Sequence, residues 1–243
     1  MVMARITIDT NVLGRAMRDG GPLRSKIKSG LAEVFVAEPS LTLDGLLRNG
    51  KIDLLALKNP RQAFKQSRWD GFVKNGVSFL ISPRIGLPRP MGRDANGNEF
   101  EYTLRHAAME HTYDQEERQQ RYFKALRYIE EELDAGQAWL KSIESQIVAA
   151  GGFCDAHEPW FINLASNLDV LGECKILKRF GDWADADALA AHYAYGNDFF
   201  CTDDQASGAG ARSVLSRANR EKLGNDLGIR IVNLDWVENG GCI

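Results

Sequence analysis

The sequence predicts an α/β fold with a central parallel sheet and a helical insertion, and three observations carry that prediction. Short apolar runs suited to strands, at residues 6–8, 34–36, 77–81, 199–201 and 228–235, alternate with stretches of helical periodicity. Acidic residues stand at the carboxyl ends of two of these runs: Asp9 after the first, and Asp203 and Asp204 after the fourth. Between the third and fourth runs lies a long seam of apolar residues spaced alternately four and three apart.

In chain order, β-branched Ile6 and Ile8 make the first strand, which runs to Asp9, with Asn11 two residues on. Gly20, Gly21 and Pro22 separate the helix that follows from a second, Leu23 to Ser29, which Gly30 ends. Val34 to Val36 form a strand, and Pro39 and Ser40 open a helix holding Asp44. Asn59 and Pro60 make another helix start, with asparagine at the cap and proline in the first turn. Val77 to Ile81 form the third strand. Pro83, Gly86, Pro88, Pro90 and residues 94–98 then make a loop or boundary.

The seam beyond it comprises Tyr122, Leu126, Ile129, Leu133, Gly136, Leu140, Ile143 and Ile147. Read as one helix of about 30 residues, it is about 45 Å long at 1.5 Å per residue. An exposed apolar seam is an aggregation liability, so it must be covered. Ala135 and Gly136 leave a mid-seam hole suited to a neighbouring helix, so the seam is expected to pack within the chain. Gly151 and Gly152 end it, and the core resumes near His157 to Trp160 with a helix from Leu164 to Leu171. Ala188, Leu189, Ala191 and Ala194 mark a small-residue helix stopped by Gly196. The strands at 199–201 and 228–235 complete the fold. The expected division is a discontinuous core of residues 1–85 and 151–243, with an insertion at 86–150.

Composition suits a globular enzyme: 243 residues, 44% hydrophobic and 26% charged. Arg5 interrupts any signal-like N-terminal run, and no apolar stretch approaches the ~18 residues of a membrane span. A cytoplasmic protein with no membrane partner is expected. Cys154, Cys174, Cys201 and Cys242 have no metal-type spacing, so reduced thiols are expected. His106 and His111 lie five apart, which misses the helical metal-pair geometry. His192 reads as a packing residue.

A net charge of −3 argues against strong non-specific nucleic-acid binding, but the charge is unevenly spread. Lys58, Arg61, Lys65, Arg84 and Arg89 belong to a basic segment, and Arg15 to a second basic group after the first strand. An acidic stretch from Glu110 to Asp134 offsets them. A basic flank beside an acidic centre suits a phosphodiester substrate, because the flank meets phosphates away from the scissile bond.

In open α/β sheets, sites form outside the carboxyl ends of the strands. Asp9 and the 202–204 turn could therefore converge at one sheet edge. Clustered carboxylates repel, and a divalent cation with hard oxygen preferences, Mg²⁺ or Mn²⁺, offsets that repulsion.

Ile8, Asp9, Thr10, Asn11 and Val12 near the start, Asp187 heading Ala188 to Ala191, and then Thr202, Asp203 and Asp204 resemble the PIN-domain nucleases. That family includes toxin subunits of toxin–antitoxin pairs and ribosomal-RNA processing enzymes. The resemblance spans roughly the first and last 80 residues. It implies a three-layer α/β/α core in which Asp9, Asp44, Asp187 and Asp204 hold Mg²⁺ or Mn²⁺. Asn11 and Thr202 would support the site, and Asp185 and Asp203 are spare acids. At the second position the family usually carries glutamate; here Asp44 is offered, with Glu38 as the alternative. The implied activity is a metal-dependent endoribonuclease that hydrolyses phosphodiester bonds with activated water, on RNA in preference to DNA. An antitoxin-type protein partner and a homodimer are the further associations that the resemblance and the seam leave open.

Two rivals stand beside this reading. One is a non-catalytic PIN-like module that binds nucleic acid or protein. The other is a phosphatase-type hydrolase with Asp9 as nucleophile, which usually wants a second aspartate two residues later, where this chain has Asn11.

Overall fold

The computed structural model of the protein describes residues 3–37, 47–48, 51–52, 71–83, 91–93, 99–101, 112–136, 142–158, 160–206 and 213–241. Five strands, β1 (Ala4–Ile8), β2 (Ala32–Ala37), β5 (Val77–Leu80), β8 (Phe199–Cys201) and β9 (Ile231–Val232), form an all-parallel sheet in the order β5-β2-β1-β8-β9. Two antiparallel hairpins accompany it, β3 (Leu47–Arg48) with β4 (Lys51–Ile52) and β6 (Met91–Arg93) with β7 (Glu99–Glu101). Central β1 sets the register: Ile6 stands opposite Val34 on one side and Phe199 on the other.

Side-chain alternation divides the core in two. Ile6, Ile8, Val34, Val36, Val77, Phe79 and Cys201 face helices α1 (Thr10–Ala16) and α2 (Pro22–Lys28), together with Leu234 and Val237 of a short C-terminal helix. Phe35, Ala37, Leu80 and Phe200 face the other way, onto α3 (Gln115–Glu131) and a long helix, Glu173–Tyr195. Helices thus cover both faces, as an all-parallel sheet requires. Each fully buried phenylalanine contributes about 1.5–3 kcal/mol through this burial. Pro22 occupies the first turn of α2, where its missing N–H costs nothing, as the glycine–proline break predicts.

The 45 Å helix does not form. Asp114 caps α3 by accepting from the Glu117 amide at 2.8 Å, and the helix ends at Glu131. Asp134 and Gly136 then take positive φ, +49° and +74°. The Ala135 amide returns to the Ile129 carbonyl at 3.2 Å, so the helix closes there. The seam is shared between two cores. Tyr122, Leu126, Ile129 and Leu133 join the sheet-facing cluster. Ile143 and Ile147 lie in α4 (Ile143–Ala149) and pack with Leu164, Ile176, Phe180 and Trp183. Packing within the chain is what the structure has: a Cβ on Gly136 would lie 2.9 Å from the Ala186 Cβ. This ending has a plain cause, since a small residue with positive φ closes a helix and lets the long helix approach.

The predicted helix at 164–171 is two, α5 (Trp160–Ser166) and α6 (Leu168–Leu171), followed by α7 (Glu173–Tyr195). Gly196, at φ +63°, ends α7 as expected. After α8 (Arg217–Leu227), the last strand is shorter than predicted. Asn233 accepts from the Trp236 amide at 2.8 Å and starts α9 (Leu234–Glu238) instead. No described helix is long and apolar enough to cross a membrane.

Candidate active site at the carboxyl edge of the sheet

The strand order reverses direction between β1 and β8, because β2 and β5 lie on one side of β1 and β9 lies beyond β8. In open α/β sheets a ligand crevice forms at such a switch point, which here lies at the carboxyl ends of β1 and β8. The Asp9 amide donates to the Cys201 carbonyl at 2.9 Å and the Thr202 amide to the Val232 carbonyl at 2.9 Å. Asp9 and Thr202 are therefore carried side by side to the crevice by the ladder itself.

Their side chains meet there. Thr202 Oγ1 donates to Asp9 Oδ2 at 2.7 Å and accepts from Asn11 Nδ2 at 3.0 Å and from the Asp204 amide at 3.1 Å. A hydroxyl has one proton and two lone pairs, and all are used. Asp204 turns back on itself, its Oδ1 accepting from the Ala206 amide at 2.7 Å. Burial raises the carboxyl pKa of Asp9 above its ordinary value, and the Thr202 hydroxyl and the amides of Thr10 and Asn11 pull the other way. Burial thus disfavours the ionised form of Asp9.

Arg220 sits behind Asp204. It donates through Nε to the Leu215 carbonyl at 2.7 Å and through a terminal nitrogen to the Asp204 carbonyl. Burial lowers its pKa, and the charges of Asp204 and Asp185 oppose that shift. Both acids therefore lie within electrostatic reach of one guanidinium. Sequence reasoning missed Arg220; the available signal, a cation in the first turn of the helix after the acidic strand end, is faint.

Asp187 lies on α7, which runs back against the strands before feeding β8. His192 Nδ1 is 2.9 Å from Thr7 Oγ1, two residues short of Asp9. Five residues along α7 span about 7.5 Å, and two along β1 about 6.6 Å. Asp187 is therefore level with the strand ends. Its carboxylate is buried, 1% exposed, and Oδ1 accepts from the Tyr122 hydroxyl of α3 at 2.8 Å. Burial and the Asp187 charge raise the Tyr122 pKa well above its usual value, so the phenol keeps its proton and donates. Tyr122 too was invisible to sequence reasoning, which read it only as a seam residue.

Asp203 faces elsewhere. Its carboxylate is bridged by Arg15 and accepts from the Leu234 amide at 3.1 Å, tying α1 to the start of α9. Arg15 thus pairs with a protein carboxylate while its side chain stays half-exposed. Its basic neighbours are engaged likewise: Arg18 with Glu238 at 3.4 Å, Arg24 with Asp19, and Lys26 with the Val237 carbonyl at 2.6 Å. Asp44, Glu38, Lys58, Arg61, Lys65, Arg84 and Arg89 lie outside the described residues. His192 is the packing residue the sequence suggests, buried with its ring edge-on to Phe200 and its pKa lowered to about 3 by burial and by Arg5.

Among the described residues, no group of three or more His, Cys, Asp or Glu side chains is arranged to hold a metal ion. Asp9 and Asp204, which Thr202 links through a carboxylate and a main-chain amide, carry hard oxygens of the kind that Mg²⁺ and Mn²⁺ take. The buried carboxylate of Asp9 is the observation that fits a cation. No protein-family model, curated protein or solved structure matches the chain.

Proposed function

We propose that this protein is a metal-dependent nuclease of PIN type, with a three-layer core, that hydrolyses phosphodiester bonds in RNA. The observation that carries this reading is the bonded chain from Asp9 through Thr202 to Asp204 at the switch point of a parallel sheet. Asp9 and Asp204 would hold the ion, with Asp187 and the acid at 44 or 38 completing the set that the family resemblance implies. When bound, Mg²⁺ or Mn²⁺ supplies charge neutralisation at the phosphate and lowers the pKa of water.

The chain's own residues do the positioning. Thr202 fixes one oxygen of Asp9. Asn11 holds Thr202 in turn, and Arg220 anchors the main chain at Asp204. Such fixed groups lose little reorganisation energy during reaction. Water is the nucleophile in this reading, because the residues named for the site include no serine or cysteine paired with a base.

The test is hydrolysis of single-stranded RNA in ¹⁸O-enriched water with Mn²⁺. Incorporation of one ¹⁸O into the product phosphate is expected. A cyclic phosphate product without ¹⁸O would show attack by the ribose hydroxyl and reject the mechanism.

One observation favours a second reading. Asp187 is held in the interior by Tyr122, and the described residues contain no three-acid group. A module of this fold that binds nucleic acid without cutting would bind single-stranded RNA equally well with and without Mn²⁺ and leave it intact.

A further inference from the structure

Helix α1 starts directly after Asp9, and one of its faces runs along the acidic turn that follows β8. Asn11 and Arg15, four residues apart, lie on that face one turn after the other. Asn11 donates to Thr202 at 3.0 Å, and Arg15 pairs with Asp203 through one terminal nitrogen. A guanidinium carries five N–H donors in a planar fork. Among the described residues Asp203 is the only side chain that Arg15 bonds, and 49% of the Arg15 side chain is open to solvent. Donors are therefore left over at the edge of the crevice. Gly14 stands on the same face, three residues after Asn11. A glycine inside a helix weakens it relative to alanine, and the fold does not require one here. Its φ is not positive, and among the described residues a Cβ built on it would meet nothing outside its own helix within 4 Å.

What a missing side chain offers is room for another backbone to come close. Beside it stands a cation with free donors in a fork that matches a phosphate. We propose that the Gly14–Arg15 flank of α1 is where the RNA backbone leaves the crevice. The sugar–phosphate chain lies against Gly14, and Arg15 holds one phosphate while Asp203 keeps the guanidinium in place. Arg15 is six residues beyond Asp9, about 9 Å along the helix, so the phosphate it holds lies to one side of the scissile bond. Contacts of this kind set the path of a strand and do not read its sequence. The inference rests on the nuclease reading for its substrate class.

The experiment measures binding of fluorescent oligo-U and oligo-A hexamers in EDTA, by anisotropy, over a series of salt concentrations. The first variant is Arg15→Gln with Asp203→Asn, which removes the guanidinium and leaves the net charge of the pair unchanged. Asparagine keeps an acceptor for the Leu234 amide. This protein should bind both hexamers about tenfold more weakly, the loss of one charge-assisted bond. Its slope of log affinity against log salt should be shallower by about 0.7, the value of one phosphate on a single strand. The second pair is Gly14→Ala and Gly14→Leu. Both have room to fold, and the alanine variant should melt above the wild type. Gly14→Leu should weaken binding by about tenfold, because its side chain fills the path of the strand. Wild-type affinity in the folded double variant, or in folded Gly14→Leu, overturns the inference. Cleavage of the same hexamers in Mn²⁺ separates the two readings. Cleavage with wild-type affinity in these variants rejects the flank and leaves the nuclease. Weakened binding as expected, with no cleavage by any protein, keeps the flank and rejects the nuclease.

Discussion

Thr202 Oγ1 donates to Asp9 Oδ2 across 2.7 Å, joining residues 193 apart in the chain. Because the same oxygen accepts from Asn11 and from the Asp204 amide, one side chain fixes both acids at the crevice. The strand ends are set by the sheet, but this hydroxyl orients the Asp9 carboxylate, while the Asp204 carboxylate is turned onto the Ala206 amide.

Thr202→Val keeps the shape and removes the donor and both lone pairs. It should cost about 1–3 kcal/mol in urea denaturation, because two donors lose their acceptor in a buried place. Thr202→Ser should recover most of that loss. Equal stability of the valine variant and the wild type would show that the hydroxyl does not organise the site.

Asp9→Asn should be no less stable than the wild type at neutral pH without metal. The folded carboxyl pKa is raised, so the folded state binds a proton more readily than the unfolded chain does. Ionisation of Asp9 therefore costs stability as pH rises through the folded value, and the cost persists above it. Thermal melts at pH 7 and pH 4 check this. The advantage of the variant should shrink toward the acid side, where the wild-type carboxyl is protonated.

His192 carries the opposite pH signature. Its pKa is lowered from 6.5 to about 3, so below pH 6.5 only the unfolded chain takes up the proton. Stability is complete above that value and falls as pH drops toward 3, by about 1.4 kcal/mol at pH 5.5. His192→Gln should flatten the slope of Tm between pH 7 and pH 5. A slope unchanged by the substitution would mean that the imidazole is protonated in the folded state.

Gly136→Ala should destabilise by about 1–2 kcal/mol, because the residue has positive φ and the new methyl meets Ala186. Leu126→Lys should unfold the sheet-facing core rather than a separate insertion, since Leu126 shares a cluster with Phe35, Leu80 and Phe200. A cooperative Tm equal to that of the wild type would contradict this packing.

The outline of the fold was legible because its signals are local. Ile6 and Ile8 before Asp9 define a strand with an acid at its end, and small residues before Gly196 define a helix and its stop. The seam misled because periodicity records which residues are apolar, not which core receives them. Leu133 and Ile143 continue one pattern across a helix end that depends on the φ angles of Asp134 and Gly136. Arg15 shows a related limit. Counting charge along the chain cannot reveal that a cation is matched by an aspartate 188 residues away. The Tyr122–Asp187 bond, across 65 residues, was hidden in the same way. The nearness of Asp9, Thr202 and Asp204 was legible because each stands at a strand end, and the sheet carries those ends to one edge.

The most direct test is the cleavage of labelled single-stranded RNA by the wild-type protein and by Asp9→Asn in Mn²⁺, with folding of both confirmed by thermal melting. The wild type should fragment the RNA and stop on chelation, and the folded variant should lose at least about a hundredfold in rate, as removal of one preorganised charge does elsewhere. Wild-type RNA left intact, or cleavage by Asp9→Asn at the wild-type rate, would contradict the account.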